Sequence, residues 1–346
     1  MQKPQHLKPW DKIATVSLSR WWPWACPERY FAGKKQLEET FGVEVVEMPH
    51  TMKDPDRIYQ HPEKRAEDLM MAFADTSIKW IISTIGWEES IRLLPFIDLD
   101  IIRNNPKVFM GYSDTTISHF MCYQAGLVSF YGPSIMAWFG ENGGLFPYMT
   151  DSVHKTVFSP ETIGTIRPNT DGWTNERLPW EDPANQKKKR TLQPNTPWRR
   201  LQWSWIRQWQ LLGWCIDVFP FLVGTSLWPD ITKRKDKILF LEPSEEKISE
   251  QTFERIIRNL WSQGILHAIN GIIVWRSQMD EETKEQKNYD DYLLKIVRDE
   301  CWLSDLPIVT NMDFGHTDPM MVLPIGITAE LNCDTQTFRI TESACS

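Results

Sequence analysis

Short apolar runs alternate with segments of helical spacing through the first third of the chain, and few folds accept that alternation. Ile13 to Leu18 reads as a strand and Arg29 to Phe41 as a helix. Val43 to Met48 reads as the next strand. Pro62 to Asp75 then carries Leu69, Met70 and Phe73 at helical spacing, ahead of the run from Trp80 to Ile85. Parallel neighbouring strands need a crossover, and a helix supplies it. The pattern therefore predicts an α/β domain, a parallel sheet layered with helices.

The segment Lys107 to Ile135 is the most informative part of that domain. The apolar run Val108-Phe109-Met110 stops at Gly111-Tyr112-Ser113-Asp114, and Thr115-Thr116-Ile117 opens a helix. A serine at a strand-to-helix junction has its hydroxyl at the carboxyl end of the sheet, close to the N–H groups of the helix start. Gly111 lets the chain turn without a Cβ clash. Ser113 is thus a candidate nucleophile. The same residues also read as an N-cap, with Ser113 or Asp114 closing the helix, and Gly-Tyr-Ser-Asp is not a full G-x-S-x-G elbow.

Two later runs have the same layout. KILFLEPSEE, starting at Lys237, is β-rich and ends in Glu242; LPIVTNMDFGHTDPMMVLPIG, starting at Leu306, leads into Asp313-Phe314-Gly315-His316. Each puts an ionisable residue just past a strand, where open α/β sheets build their sites. Serine, glutamate and histidine can supply a nucleophile, an orienter and a general base. Taken singly, Glu242 also reads as a solvated strand end and His316 as a turn histidine.

Together these blocks resemble the serine peptidase family S66, the LD-carboxypeptidases, and within it the microcin C self-immunity branch. The resemblance runs nearly end to end: KPWDKIATVSLS, GVEVVEMPH, RAEDLMMAFAD, IISTIGWEESIRLLPFIDLD, the Ser113 block, ENGG, LFLEPSEE and NMDFGHTDPM. It implies Ser113 as nucleophile, His316 as general base and Glu242 as its partner. It also implies an oxyanion hole from the backbone N–H groups of Trp87 and Asp114, with no metal and no cofactor. The substrate implied by the branch is an aminoacyl or peptidyl nucleotide of the microcin C type. The wider family implies the L,D bond of a muropeptide tetrapeptide. A non-catalytic small-molecule binder on the same fold is the third reading, and an intact Ser113, Glu242 and His316 argues against it.

One systematic departure stands out. The chain has 18 Trp and 17 Gly, whereas ordinary chains carry roughly 7% glycine. Trp10, Trp21, Trp22, Trp24, Trp87, Trp138, Trp203, Trp205, Trp209, Trp214, Trp261, Trp275 and Trp302 stand where the family has glycine. Returning those positions to glycine gives a near-normal composition. The pattern predicts a source that reads UGA as glycine; the alternative is a tryptophan-rich lineage with a repacked core.

Length suggests two domains. We place an α/β nucleophile domain at 1–167, an ordered connector at 168–200, and a smaller mixed α/β domain carrying Glu242 and His316 at 201–346. The second domain is expected to hold strands at Ile238–Leu241, Gly271–Val274 and Ile308–Val309, with helices at Ile248–Gln263 and Asp290–Glu300. A site drawing on both domains lies in the cleft between them. Trp173, Trp180 and Trp198 in the connector match tryptophan in the family. Trp180 first and Trp173 second are candidates to stack on a substrate nucleobase; otherwise they pin the connector down.

A net charge of −8 argues against a nucleic-acid partner. The one basic cluster, Lys187 to Arg190, reads as a solvated loop. No signal peptide or membrane-length run is evident. Six scattered cysteines without C-x-x-C spacing favour reduced thiols and a cytoplasmic location. The expected partner is a small-molecule or peptide substrate, and the expected assembly a homodimer.

Overall fold

The computed structural model describes residues 1–346 apart from 21, 203–205, 245–247, 279–288, 333, 334 and 336. Trp21, Trp203, Trp205 and Cys333 lie outside the described residues. The strands are β1 Lys12–Val16, β2 Glu44–Glu47, β3 Ile78–Ser83, β4 Val108–Gly111, β5 Ser129–Tyr131, β6 Gly164–Ile166, β7 Arg199–Gln202, β8 Arg207–Cys215, β9 Ile238–Glu242, β10 Gly271–Trp275, β11 Ile308–Met312, β12 Leu323–Ile325, β13 Thr328–Asn332 and β14 Thr337–Ile340. They form two sheets, ordered β12-β5-β4-β3-β1-β2 and β6-β14-β13-β8-β9-β10-β11-β7.

In the first sheet β5, β4, β3, β1 and β2 are mutually parallel. In the second, β8 to β11 form a parallel centre, and β13, β14, β6 and β7 add antiparallel. The expected α/β class with a mixed second domain is what the chain adopts. β4, β9, β10 and β11 are buried throughout, the condition under which a strand reads as an unbroken apolar run. By contrast β13 alternates between buried and half-buried positions. Two strands cross between the layers. β12, late in the chain, pairs antiparallel with β5, and β6 joins the edge of the second sheet through β14.

Local signals account for the helices. Pro27–Phe41 opens on proline with Glu28 in its first turn and ends at Gly42, whose φ of 68° closes it. Glu250–Ser262 is capped by Ser249, which accepts the Thr252 N–H, and it buries Phe253, Ile256, Ile257 and Leu260 in one stripe. The helix expected from Asp290 is α-helical to Leu294 and widens to a π-helical turn over Lys295–Glu300. Among the described residues no helix is long and apolar enough to cross a membrane.

Candidate active site

β4 ends at Gly111, where a Cβ would come within 2.4 Å of Ser83 Oγ and 2.7 Å of the Thr115 side chain. Only glycine lets the strand pass so close to the turn that follows. Ser113 then adopts φ 60°, a left-handed conformation that costs a non-glycine residue about 1–2 kcal/mol and recurs at functional turns. Ser113–Thr115 makes a 3₁₀ turn leading into the helix Thr116–Ala125. Neither Ser113 nor Asp114 caps that helix through its side chain, so the N-cap reading does not hold.

The Asp114 carboxylate is occupied elsewhere. It accepts from Ser19 Oγ at 2.6 Å and from the Ser90 N–H at 2.9 Å, while Ser90 Oγ donates to the Asp114 carbonyl at 2.8 Å. Burial pushes the Asp114 carboxyl up, and the Ser19 and Ser90 donors pull against it. These bonds tie the loop around residues 86–90 to the serine turn. A Cβ on Gly86 would lie 2.7 Å from Ser113 Cβ and 3.0 Å from the Asp114 nitrogen, so the Gly86-Trp87 backbone lies against the serine.

Glu242 ends β9 and is fully buried, which removes the reading as a solvated strand end. One carboxylate oxygen faces His316 Nδ1 and the other accepts from the Tyr131 hydroxyl. Burial pushes the carboxyl up; the His316 and Tyr131 contacts oppose that. Gly315 has φ 83°, and a Cβ there would sit 2.5 Å from Glu242, so glycine is what brings the imidazole down onto the carboxylate. With a proton on Nδ1 for ionised Glu242, the Nε2 lone pair is left to accept another. The His316 carbonyl accepts from Gln278 at 3.1 Å, and the Tyr112 ring lies 4.8 Å from the imidazole.

Ser113 and His316 line one cavity of about 350 Å³, together with Gly86, Trp87, Arg29 and Trp180. Glu242 lies behind His316, outside that lining. At the rim, Trp22 sits 5.6 Å from Trp87 and 5.8 Å from Trp180, ring centre to ring centre. The Arg29 guanidinium lies 4.9 Å from the Trp180 ring, and it donates to the Met136 carbonyl at 2.7 Å and to Asn142. Burial pulls its pKa down to about 10.

Two expectations need correction. Trp173 does not share the cavity: it is buried, its backbone pairs with Gln193, and it packs 5.6 Å beneath the Arg276 guanidinium. It pins the connector down. Arg190 is no solvated loop residue. Its side chain is 9% exposed and bridges Glu141 and Asp318, while burial pushes Asp318 up to about 7 against the pull of Arg190. Lys187 to Lys189 are exposed. Ser19, Ser90 and Tyr131 are not legible in the sequence, because isolated hydroxyls carry no spacing signal.

Two parallel-centred layers, with a serine turn on one and a carboxylate–imidazole pair on the other, fit the serine hydrolase class. Family models place the chain within it: the LD-carboxypeptidase N-terminal domain matches residues 13–132 and the LD-carboxypeptidase C-terminal domain matches 210–331. The chain belongs to the LD-carboxypeptidases, peptidase family S66, and is an enzyme of the serine carboxypeptidase and amide hydrolase kind. A Vibrio cholerae protein bearing a carboxypeptidase name is 28% identical over 321 residues, 91% of this chain and 90% of that one. The microcin C7 self-immunity protein MccF of Escherichia coli is 26% identical over 285 residues, 82% of this chain and 80% of that one. A structure of microcin C7 self-immunity protein MccF in complex with aspartyl sulfamoyl adenosine superposes with a TM-score of 0.86 at 25% identity over 100% of both chains. The MccF-like protein of Streptococcus pneumoniae, solved in complex with AMP, gives 0.84 at 30% identity over 96% of this chain and 99% of that one. These likenesses place the chain in the MccF branch of the family.

Proposed function

We propose that the enzyme is a Ser–Glu–His hydrolase that cleaves an amide or acyl linkage in an aminoacyl or peptidyl nucleotide of the microcin C type, a self-protective detoxification. The observation that supports this reading is that Ser113, His316 and Trp180 line one cavity, within reach of one ligand. His316 Nε2 takes the Ser113 hydroxyl proton as Oγ attacks the substrate carbonyl. Glu242 holds the imidazole in its productive tautomer and stabilises the imidazolium. The N–H groups of Trp87 and Asp114 receive the oxyanion, each such donor being worth about 2.7–4 kcal/mol in the transition state. The imidazolium gives its proton to the departing atom of the cleaved linkage; water, deprotonated by the same base, then attacks the acyl carbon, and Ser113 Oγ departs with that proton. Trp180 stacks on the base of the nucleotide, and Arg29 behind it fixes the plane of the ring.

The nucleotide is favoured by MccF and its relative, whose solved complexes contain adenosine compounds. The second reading, hydrolysis of the L,D bond of a muropeptide tetrapeptide, is favoured by the description of both family models. Mass spectrometry after incubation with a processed microcin C analogue and with a muropeptide tetrapeptide separates the two. Release of the aminoacyl group from the first is expected. Loss of terminal D-alanine from the second alone would overturn the nucleotide reading. Base–aromatic stacking is worth about 1–3 kcal/mol, so Trp180→Ala should weaken handling of the nucleotide by about 5- to 150-fold and leave a muropeptide nearly untouched. Equal losses on both substrates would make Trp180 structural.

A further inference from the structure

Tyr131 ends β5 in the first sheet and is fully buried. Its hydroxyl has two partners on opposite sides of the cleft. It donates to Glu242 Oε2 at the end of β9, in the second sheet. It accepts the backbone N–H of Ser113 at 3.1 Å. One phenol oxygen therefore touches both the serine turn and the carboxylate behind the imidazole. It does so between two layers whose relative placement sets the distance from serine to base.

We propose that Tyr131 is a positioning residue for the reaction, locking the strained Ser113 turn and the Glu242–His316 pair into one register across the two sheets. This inference rests on the Ser–Glu–His reading above. Ser113 sits at φ 60°, and a conformation of that kind persists only where its surroundings hold it. The bond to Tyr131 removes the N–H of Ser113 from any other use and fixes the turn. On the other side, Glu242 has two oxygens, one engaged by His316 and one by Tyr131. The phenol therefore prevents the carboxylate from rotating away from the imidazole.

The surroundings keep the hydroxyl a donor. Burial, then the adjacent Glu242 and Cys215, push its pKa far above the usual phenol range. Two further titratable groups face the pair: Asp217, which raises the Glu242 carboxyl, and His119, whose ring lies 5.7 Å from the Tyr131 ring. Burial draws His119 down to about 4, so it is neutral at working pH and does not compete. The ring of Tyr131 packs on Phe240 at 5.1 Å, and phenylalanine would retain that packing.

The test is Tyr131→Phe in the full-length enzyme, followed by kcat, KM and the pH dependence of kcat/KM on the substrate found to turn over. Loss of a buried hydrogen-bonded support outside the reacting atoms is expected to lower kcat by about 10- to 100-fold with KM changed by less than about 2-fold. The acidic limb of the profile should also move to higher pH. A carboxylate relieved of one donor holds a proton on the Glu242–His316 pair more tightly. A residue that merely fills space would not move that limb. Difluorotyrosine at position 131, a stronger donor of nearly the same size, should shift the limb to lower pH. This arm stands even where Tyr131→Phe does not fold. A folded Tyr131→Phe enzyme with unchanged kcat and limb, or a difluorotyrosine enzyme with an unshifted limb, would overturn the inference. Ser113→Ala in parallel separates the two levels. Full turnover in Ser113→Ala removes the triad reading and the inference with it. An inactive Ser113→Ala beside a wild-type-like Tyr131→Phe removes the inference alone.

Discussion

The floor of the cleft and its rim are held by different forces. On the floor, glycine at 86, 111 and 315 allows backbone and side chain to approach more closely than a Cβ permits. The polar groups there are joined in threes: Asp114 with Ser19 and Ser90, Glu242 with His316 and Tyr131. At the rim the contacts are aromatic faces and edges, Trp22 against Trp87 and Trp180, and the buried indole N–H groups of Trp22 and Trp138 have no hydrogen-bond partner. A hydrogen-bonded floor specifies one geometry, whereas a packed aromatic rim can be replaced without moving the reacting atoms. Reaction type should therefore follow the floor, and substrate preference the rim.

The largest effect expected from breaking the floor is in His316→Ala. If His316 is the base of the proposed triad, its removal should lower turnover by roughly 10³-fold or more while the far-ultraviolet circular dichroism stays unchanged. Turnover within 10-fold of wild type would mean that the rim and floor are not divided as described.

Beneath the serine turn, His119 Nε2 donates to the Gly111 carbonyl at 2.9 Å, and Nδ1 shares a hydrogen bond with Ser129 Oγ at 2.9 Å. Burial lowers its pKa from 6.5 to about 4. Between those values the unfolded chain binds a proton that the folded protein refuses, so stability falls as pH drops from about 6.5 to about 4. The full difference amounts to about 3 kcal/mol. Urea unfolding at a series of pH values checks it, and His119→Gln should flatten the slope in that window. A slope unaffected by that substitution would show that other groups carry the acid sensitivity.

The central parallel strands, the serine turn and the Glu242 and His316 loops were legible in the sequence because strands buried on both faces read as unbroken apolar runs and because ionisable residues followed them directly. β6, β12 and β14, three or four residues each, escaped notice, since a pattern of period two needs more positions to show itself. The crossing of β12 into the first sheet is a long-range pairing with no local trace. The buried role of Arg190 is hidden for a related reason. A basic run looks solvated until the fold delivers Glu141 and Asp318 to one of its members.

The smallest effects belong to tryptophans far from the floor. Trp10 and Trp302 have φ of 74° and 57° and are 85% and 84% exposed, so each carries left-handed strain with almost no burial to offset it. Trp22, Trp138, Trp214 and Trp275 leave buried indole N–H groups unpartnered, each such group costing about 1–3 kcal/mol. Trp10→Gly and Trp302→Gly should each raise stability by about 1 kcal/mol in urea unfolding, with turnover unchanged. If UGA is read as glycine in the source, peptide masses of the protein purified from it will show glycine at these positions. Tryptophan at all of them would end that reading.

The measurement that tests the central claim most directly is active-site labelling with a fluorophosphonate, followed by peptide mass spectrometry. The account predicts a covalent adduct on Ser113 alone, formed in the wild-type enzyme and lost in His316→Ala, because the oxygen becomes nucleophilic only beside its base. An unlabelled Ser113, or an adduct on another serine, would contradict it.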